Sequence, residues 1–340
     1  MSRSQGIALW SGVAAAGLVL GLIFVGSGGF KRFDPPLAPY AAATIFSAFA
    51  IVYRYAMWLQ RPPTWLYFKT SWKIFLRPKS LPRNVATLFG LLWSNIVAQR
   101  FIEKRSHRRW AAHLCLAWGC LLAFAITFPL SWGWVQFSAG TQDAYWVEVW
   151  GIRVFSFDPH GPIGFLMFNG LNFSAVLVLL GVGIAMHRRL FDRGAQAVQS
   201  FSSDLVPLFL LFAAAVTGLM LTASYKLMRG EHFAFISLLH AVSVVVLLLW
   251  LPFGKLFHVI QRPAQLGVAY YKQEAANGPR VVCPRSGEPF QSEMHFNDLS
   301  MVMRQVGISF GSHQALSPAE KRKLIALNQA DQISGVPFVG

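Results

Sequence analysis

Six stretches of this chain are long and apolar enough to cross a lipid bilayer, and that limits what it can fold into. They run roughly over residues 8–26, 38–59, 111–133, 162–186, 205–224 and 234–260. Each approaches the roughly 20 apolar residues that cover a hydrocarbon core about 30 Å thick. Inside lipid every backbone N–H and C=O needs a partner within the protein, so runs of this length become helices. The expected fold is an all-α integral membrane protein, a six-span helix bundle. Composition agrees, because 13% of residues are charged against about 25% in an average soluble domain. The first stretch has only Arg3 ahead of it and no small-residue cleavage site. It reads as an anchor rather than a cleavable signal peptide.

A formal net charge of +16 raises nucleic acid as a partner, but the placement of the charge argues against it. From Arg61 to Arg109 there are eleven Lys or Arg and one acid, Glu103, and the 188–204 loop adds Arg188, Arg189 and Arg193. The loops at 27–37, 134–161 and 225–233 hold five basic residues together. Basic residues collect on the cytoplasmic side of membrane proteins. The asymmetry therefore predicts that the 60–110 segment, the 188–204 loop and both termini are cytoplasmic, with the charge facing lipid headgroups and not nucleic acid.

The chain divides into two N-terminal spans (1–59), a basic cytoplasmic segment (60–110), four further spans (111–262) and a cytoplasmic tail (263–340). Within the second part, "PTWLYFKTSWKIFLRP" mixes aromatics with Lys and Arg as interfacial helices do. Residues 134–161 are rich in Trp and Gly and predict a short cap at the outer interface. Breakers crowd the start of the tail (Gly278, Pro279, Pro284, Gly287, Pro289), and Ser317 with Glu320 forms a capping box around Pro318. A tail this small and polar suits docking onto a cytoplasmic partner. Cys115 and Cys120 lie in the third span and Cys283 alone in the tail. Without a CxxC, neither an iron–sulfur cluster nor a structural zinc is expected within this chain.

Imidazoles in lipid are expensive and need a partner. His113 opens the third span, His187 closes the fourth, and His240 and His258 lie in the sixth, 18 residues apart. On a continuous helix that spacing is a whole number of turns, so both rings would face one way, about 27 Å apart. His160 opens the fourth span from the other side and His232 precedes the sixth. Haem b takes two axial imidazoles from different helices, and His113 and His258 lie at matching depth on antiparallel spans. Gly119, Gly181, Gly183 and Gly218 offer clearance for a porphyrin. The competing reading of any one of these histidines is a hydrogen-bonded helix contact or a pore residue. His187 competes with His113 by depth but sits beside Arg188 and Arg189. His107, His295 and His313 suggest no role.

Three stretches resemble the cytochrome b gamma subunit of respiratory nitrate reductase and its relatives, the membrane subunits of heterodisulfide reductase type. They are "FIEKRSHRRWAAHLCLAWGCLL", "GIAMHRRL" and "LLHAVSVVVLLLWLPFGKLFHVI". The resemblance covers roughly residues 85–262. It implies that His240 and His258 each supply one axial ligand to one of two b haems, with His113 opposite His258. Ten residues beyond His113, where those subunits carry a second His, this chain has Ala123. By depth His160 is the best substitute, then His232, with Met167 more remote, and one haem rather than two is an open alternative. The resemblance further implies a subunit of a quinone-linked oxidoreductase in the bacterial inner membrane, passing electrons between quinone and cytoplasmic iron–sulfur or flavin subunits through haem. Donors to a quinone are available in Lys226, Arg229 and His232 on one side and Lys255 or Arg105 on the other. The competing classes are a haem-free membrane anchor and a small transporter with protonatable histidines.

Overall fold

The computed structural model describes residues 2–140, 144–308 and 311–334, so part of the 134–161 cap and the last residues of the tail lie outside the described residues. The chain begins with α1 (Arg3–Gly26), α2 (Ala38–Leu59), α3 (Pro62–Phe75), α4 (Leu81–Leu92), α5 (Arg100–Glu103) and α6 (His107–Ser131). Strands β1 (Val135–Ala139), β2 (Tyr145–Val149) and β3 (Ile152–Phe157) follow, then α7 (Pro162–Phe191), α8 (Arg193–Val198), α9 (Val206–Leu227) and α10 (Phe233–Trp250). Last come α11 (His258–Gln261), α12 (Ala264–Asn277), β4 (Arg280–Val282), β5 (Pro289–Ser292), α13 (Glu293–Gln305) and α14 (Pro318–Ser334). Six helical stretches are long and apolar enough to cross a membrane, namely α1, Pro35–Leu59, α6, α7, Phe201–Leu227 and α10. The chain is thus a multi-pass, mainly helical membrane protein, as its apolar windows predict.

The chain packs as two compact units. The larger comprises residues 1–57 and 91–261. Within it α6, α7, α9 and α10 pack successively, and small residues let the backbones approach, as membrane helices require. A Cβ on Gly119 of α6 would fall 2.7 Å from Val178 Cγ2, and one on Gly181 of α7 would fall 2.7 Å from Leu116 Cγ. Ser174 donates to the Gly119 carbonyl at 2.8 Å across the same crossing. Gly119 and Gly181 therefore serve helix contact, not the clearance their positions suggested. Ala175, Val178 and Val182 of α7 meet Leu208, Leu211 and Ala215 of α9 and Leu247 of α10 in one apolar cluster.

Two features add detail to the expected six-span bundle. The strands form a three-stranded antiparallel sheet in the order β1-β2-β3, built from β-branched and aromatic residues that suit a pleated surface. Trp134 donates to the Leu22 carbonyl at 3.0 Å and Arg32 to Gln136 at 2.9 Å, which ties α1 to the sheet. The second feature is in the sixth span. Its helix stops at Trp250, and the chain turns through 251–257 before α11 begins at His258. Pro252 has no N–H to offer the Leu248 carbonyl four residues back. Ser47 of α2 supplies the missing donor, its hydroxyl 2.5 Å from that carbonyl. Arg54 of α2 donates to the Pro252 carbonyl and lies 4.4 Å above the Phe257 ring. The break is thus sealed inside the protein, the condition under which a membrane helix tolerates it.

The second unit joins residues 58–90 to the tail from Arg262. In it α3 packs on α12 through the Tyr67–Tyr271 and Phe75–Tyr270 ring pairs and a 2.7 Å bond from Ser71 to the Gly267 carbonyl. Buried Asn84 donates to the Ile74 and Phe75 carbonyls at the end of α3. Tyr271 donates to Asp298 at 2.6 Å, and burial together with that carboxylate pushes its phenol well above the usual range. Ser317 accepts from the Glu320 amide at 3.3 Å ahead of Pro318, as its capping role requires. The buried Cys283 thiol sits in a turn between β4 and β5. Burial opposes its ionisation, but hydrogen bonds from the Ser286 hydroxyl and from the Ser317, Ser286 and Arg285 amides outweigh this and bring it to about 6. Trp65, Trp72 and Phe89 leave an apolar face uncovered among Lys69, Lys73 and Arg83.

If Ser47 replaces the hydrogen bond that Pro252 forbids, Ser47→Ala should destabilise the protein by about 1–3 kcal/mol, the cost of an orphaned buried carbonyl. In a Pro252→Ala background, which restores an amide, the same change should cost less. Thermal unfolding of the four proteins in detergent measures the coupling.

Candidate paired-histidine site

The break at Pro252 delivers His258 on its own short helix, where it meets His113 near the start of α6. Their ring centroids are 5.9 Å apart and their planes inclined by 63°. Each ring is fixed through Nδ1. His113 Nδ1 lies 2.6 Å from Gln99 Oε1, and His258 Nδ1 lies 2.5 Å from the Lys255 carbonyl. Both partners are oxygens that only accept, so both Nδ1 atoms are the donors and carry the proton in the neutral ring. That tautomer is the one a metal-binding imidazole uses, with its other nitrogen donating to a carbonyl or carboxylate.

The holder of His113 is assembled from local chain features. A π-helical turn, Trp93–Val97, precedes Gln99, which adopts a left-handed conformation at φ 50° and is buried. Two tryptophans on α6 bind the carbonyls beside it: Trp110 Nε1 donates to Ala98 at 2.7 Å and Trp118 Nε1 to Val97 at 3.2 Å. Residues 110, 113 and 118 of one helix thus supply the imidazole and fix its acceptor.

The holder of His258 is tied to the bundle by charge. Lys255 Nζ lies 2.5 Å from Asp204 Oδ1, and Arg189 Nη2 at the end of α7 lies 3.1 Å from the same oxygen. The Ser200 amide donates to Asp204 Oδ2 at 2.9 Å. Asp204 is buried in the turn that leads into α9. One carboxylate therefore joins the end of α7, the start of α9 and the turn that carries His258. A cavity of about 480 Å³ opens beside His258, with Trp250, Phe253 and Phe257 as apolar wall and Arg54, Lys255 and Gln261 as polar rim.

The remaining histidines stand apart. His240, half-buried on α10, lies 2.9 Å by Nδ1 from Thr217 Oγ1 on α9. That hydroxyl spends its proton on the Ala213 carbonyl at 2.6 Å, so His240 Nδ1 is the donor. Gly218 leaves room for the ring, since a Cβ there would lie 3.4 Å from His240 Cε1. No ring contact among the described residues brings a second imidazole to His240. His160 is exposed in the turn before α7, its amide bonded to Asp158 at 2.8 Å. His187 is exposed on α7 with its ring 4.8 Å from that of Phe191. His240 and His258 do not share one helix, so their 18-residue spacing does not align them. Away from the histidines, Lys226 donates to Asn169 at 3.1 Å and Thr222 to Asn172 at 2.8 Å, a polar contact between α9 and α7. No family model matches the chain, and no curated protein or solved structure is significantly similar to it.

The ion-pair knot makes a ranked prediction. Asp204→Asn leaves Arg189 and Lys255 facing each other without their carboxylate and should cost about 3 kcal/mol. Lys255→Met should cost under about 1 kcal/mol, because its side chain is 59% exposed and the Arg189 pair survives. Unfolding midpoints of the two variants, measured side by side, test the order.

Proposed function

We propose that the chain is a membrane cytochrome b subunit that binds one haem b between His113 and His258 and passes electrons between the quinone pool and a cytoplasmic redox partner. What carries this reading is the approach of two imidazoles from different helices, each donating through Nδ1 to a fixed oxygen. Two metal–nitrogen bonds of about 2.0–2.1 Å and about 1.1 Å from each nitrogen to its ring centre would sum to about 6.2–6.4 Å. The separation of the ring centroids is 5.9 Å. Haem b supplies a one-electron iron couple whose potential the protein tunes through ligand basicity, nearby charge and burial.

The chain's own contribution is to hold both rings in one tautomer and to set the charge around them. Gln99 and the Lys255 carbonyl do the first. Arg54 and Lys255, on the rim of the cavity beside His258, offer positive charge to carboxylates there. One haem suffices for this reading, since His240 is held by Thr217 without an imidazole opposite. The excess of Lys and Arg in 61–109 supports a cytoplasmic position for this end of the bundle, and the family resemblance supports a bacterial inner membrane. The basic segment and the tail then form the surface for iron–sulfur or flavin subunits.

Purified protein should give a b-type alpha band in dithionite-reduced minus oxidised spectra, lost in His113→Ala and in His258→Ala. His160→Ala and His187→Ala should keep it, and pyridine haemochrome quantification should return one haem per chain, unchanged in His240→Ala. Absence of the band in the wild-type protein leaves a haem-free membrane anchor or a transporter. Cysteine labelling in intact cells checks the sidedness: probes in the 188–204 loop should be protected and probes in the 134–161 cap should react.

A further inference from the structure

We infer that Gln99 is a positioning residue that sets the basicity of the His113 imidazole, and so the potential of the metal it would bind. The inference rests on the haem reading above. Three observations support it. Gln99 Oε1 lies 2.6 Å from His113 Nδ1, within hydrogen-bond distance and with the oxygen as acceptor. The residue is 6% exposed, so water does not compete for that proton. Its backbone is at φ 50°, ψ 38°, a region that residues with a Cβ seldom enter. Strain of this kind persists where the surroundings over-determine it. Here the surroundings are the Trp110 and Trp118 donors on the carbonyls of Ala98 and Val97.

Both imidazoles donate to a neutral amide oxygen, but from different parts of the chain. The acceptor of His258 is a backbone carbonyl and that of His113 a neutral side-chain amide. An acceptor that pulls harder on Nδ1–H makes Nε2 a better donor and favours the oxidised, more positive iron. A carboxylate pulls hardest and an alkyl group not at all. Changing residue 99 therefore moves the potential in a direction fixed by the acceptor strength of the substituent.

Gln99→Glu and Gln99→Met should both be made in the full-length protein and followed by redox titration of the alpha band and by low-temperature EPR of the oxidised form. Gln99→Glu should lower the midpoint potential, with the oxidised-to-reduced ratio at fixed potential rising about tenfold, equivalent to ~59 mV for one electron. Gln99→Met should raise the midpoint potential and weaken haem retention by about tenfold. Shifts of the same sign in both variants, or none in either, overturn the inference, since a purely structural role has no reason to follow the acceptor strength of the side chain. Should Gln99→Met fail to fold, the sign of the Gln99→Glu shift decides alone. A wild-type protein without an alpha band removes the haem reading and this inference with it, whereas a normal band with unmoved potentials removes the inference only.

Discussion

The bundle depends on a hydrogen bond that one helix cannot make for itself. Pro252 denies the Leu248 carbonyl its partner, and in a membrane such a carbonyl has no water to turn to. The second span answers with Ser47, and about two turns further along, Arg54 reaches the Pro252 carbonyl and the Phe257 ring. The second span is thus more than an anchor. It stabilises an interruption in the sixth, and the interruption frees the chain to turn and bring His258 to His113. Had the helix run on, the two ends of the 18-residue interval would have been locked in register and His258 would sit where the helix put it.

A second constraint works at the same end of the bundle. Asp204 is a buried carboxylate bound by two cations and an amide, an arrangement that contributes little net stability when compared with apolar packing. What it contributes is connection. The ends of α7 and α9 and the turn at Lys255 belong to segments far apart in the chain, and ordinary apolar contact between them would tolerate sliding. Charge and direction together do not. The apolar cluster of α7, α9 and α10 supplies cohesion, and the knot supplies register.

Much of this was legible in the residues. The six spans follow from uninterrupted apolar runs, and the pairing of His113 with His258 from matching depth on antiparallel helices. The sheet at 135–157 was not anticipated, although "YWVEV" and "IRVFSF" carry β-branched and aromatic residues, because Trp and Gly near a membrane surface have an interfacial explanation of their own. The 18-residue argument failed for a reason present in the sequence: Pro252 and Gly254 lie inside the interval, and the whole-turn rule holds only for an unbroken helix. Gly119 and Gly181 looked like clearance for a flat group but are filled by neighbouring helices, a distinction that depends on which helix lies opposite. Gln99 was invisible. A glutamine in "IVAQRF" matches no motif, and what makes it notable, a left-handed backbone held by two tryptophans further along, exists only after folding.

The two acceptors on the imidazoles also differ in what heredity can do with them. The oxygen facing His258 belongs to the peptide backbone, so every codon at position 255 apart from its effect on the turn presents the same carbonyl. The oxygen facing His113 belongs to a side chain, and a single nucleotide change in a glutamine codon is enough to give glutamate. One side of the pair is insulated from mutation, while the other is exposed to gradual adjustment. A lineage of such proteins could drift along that one position without disturbing the bundle that surrounds it.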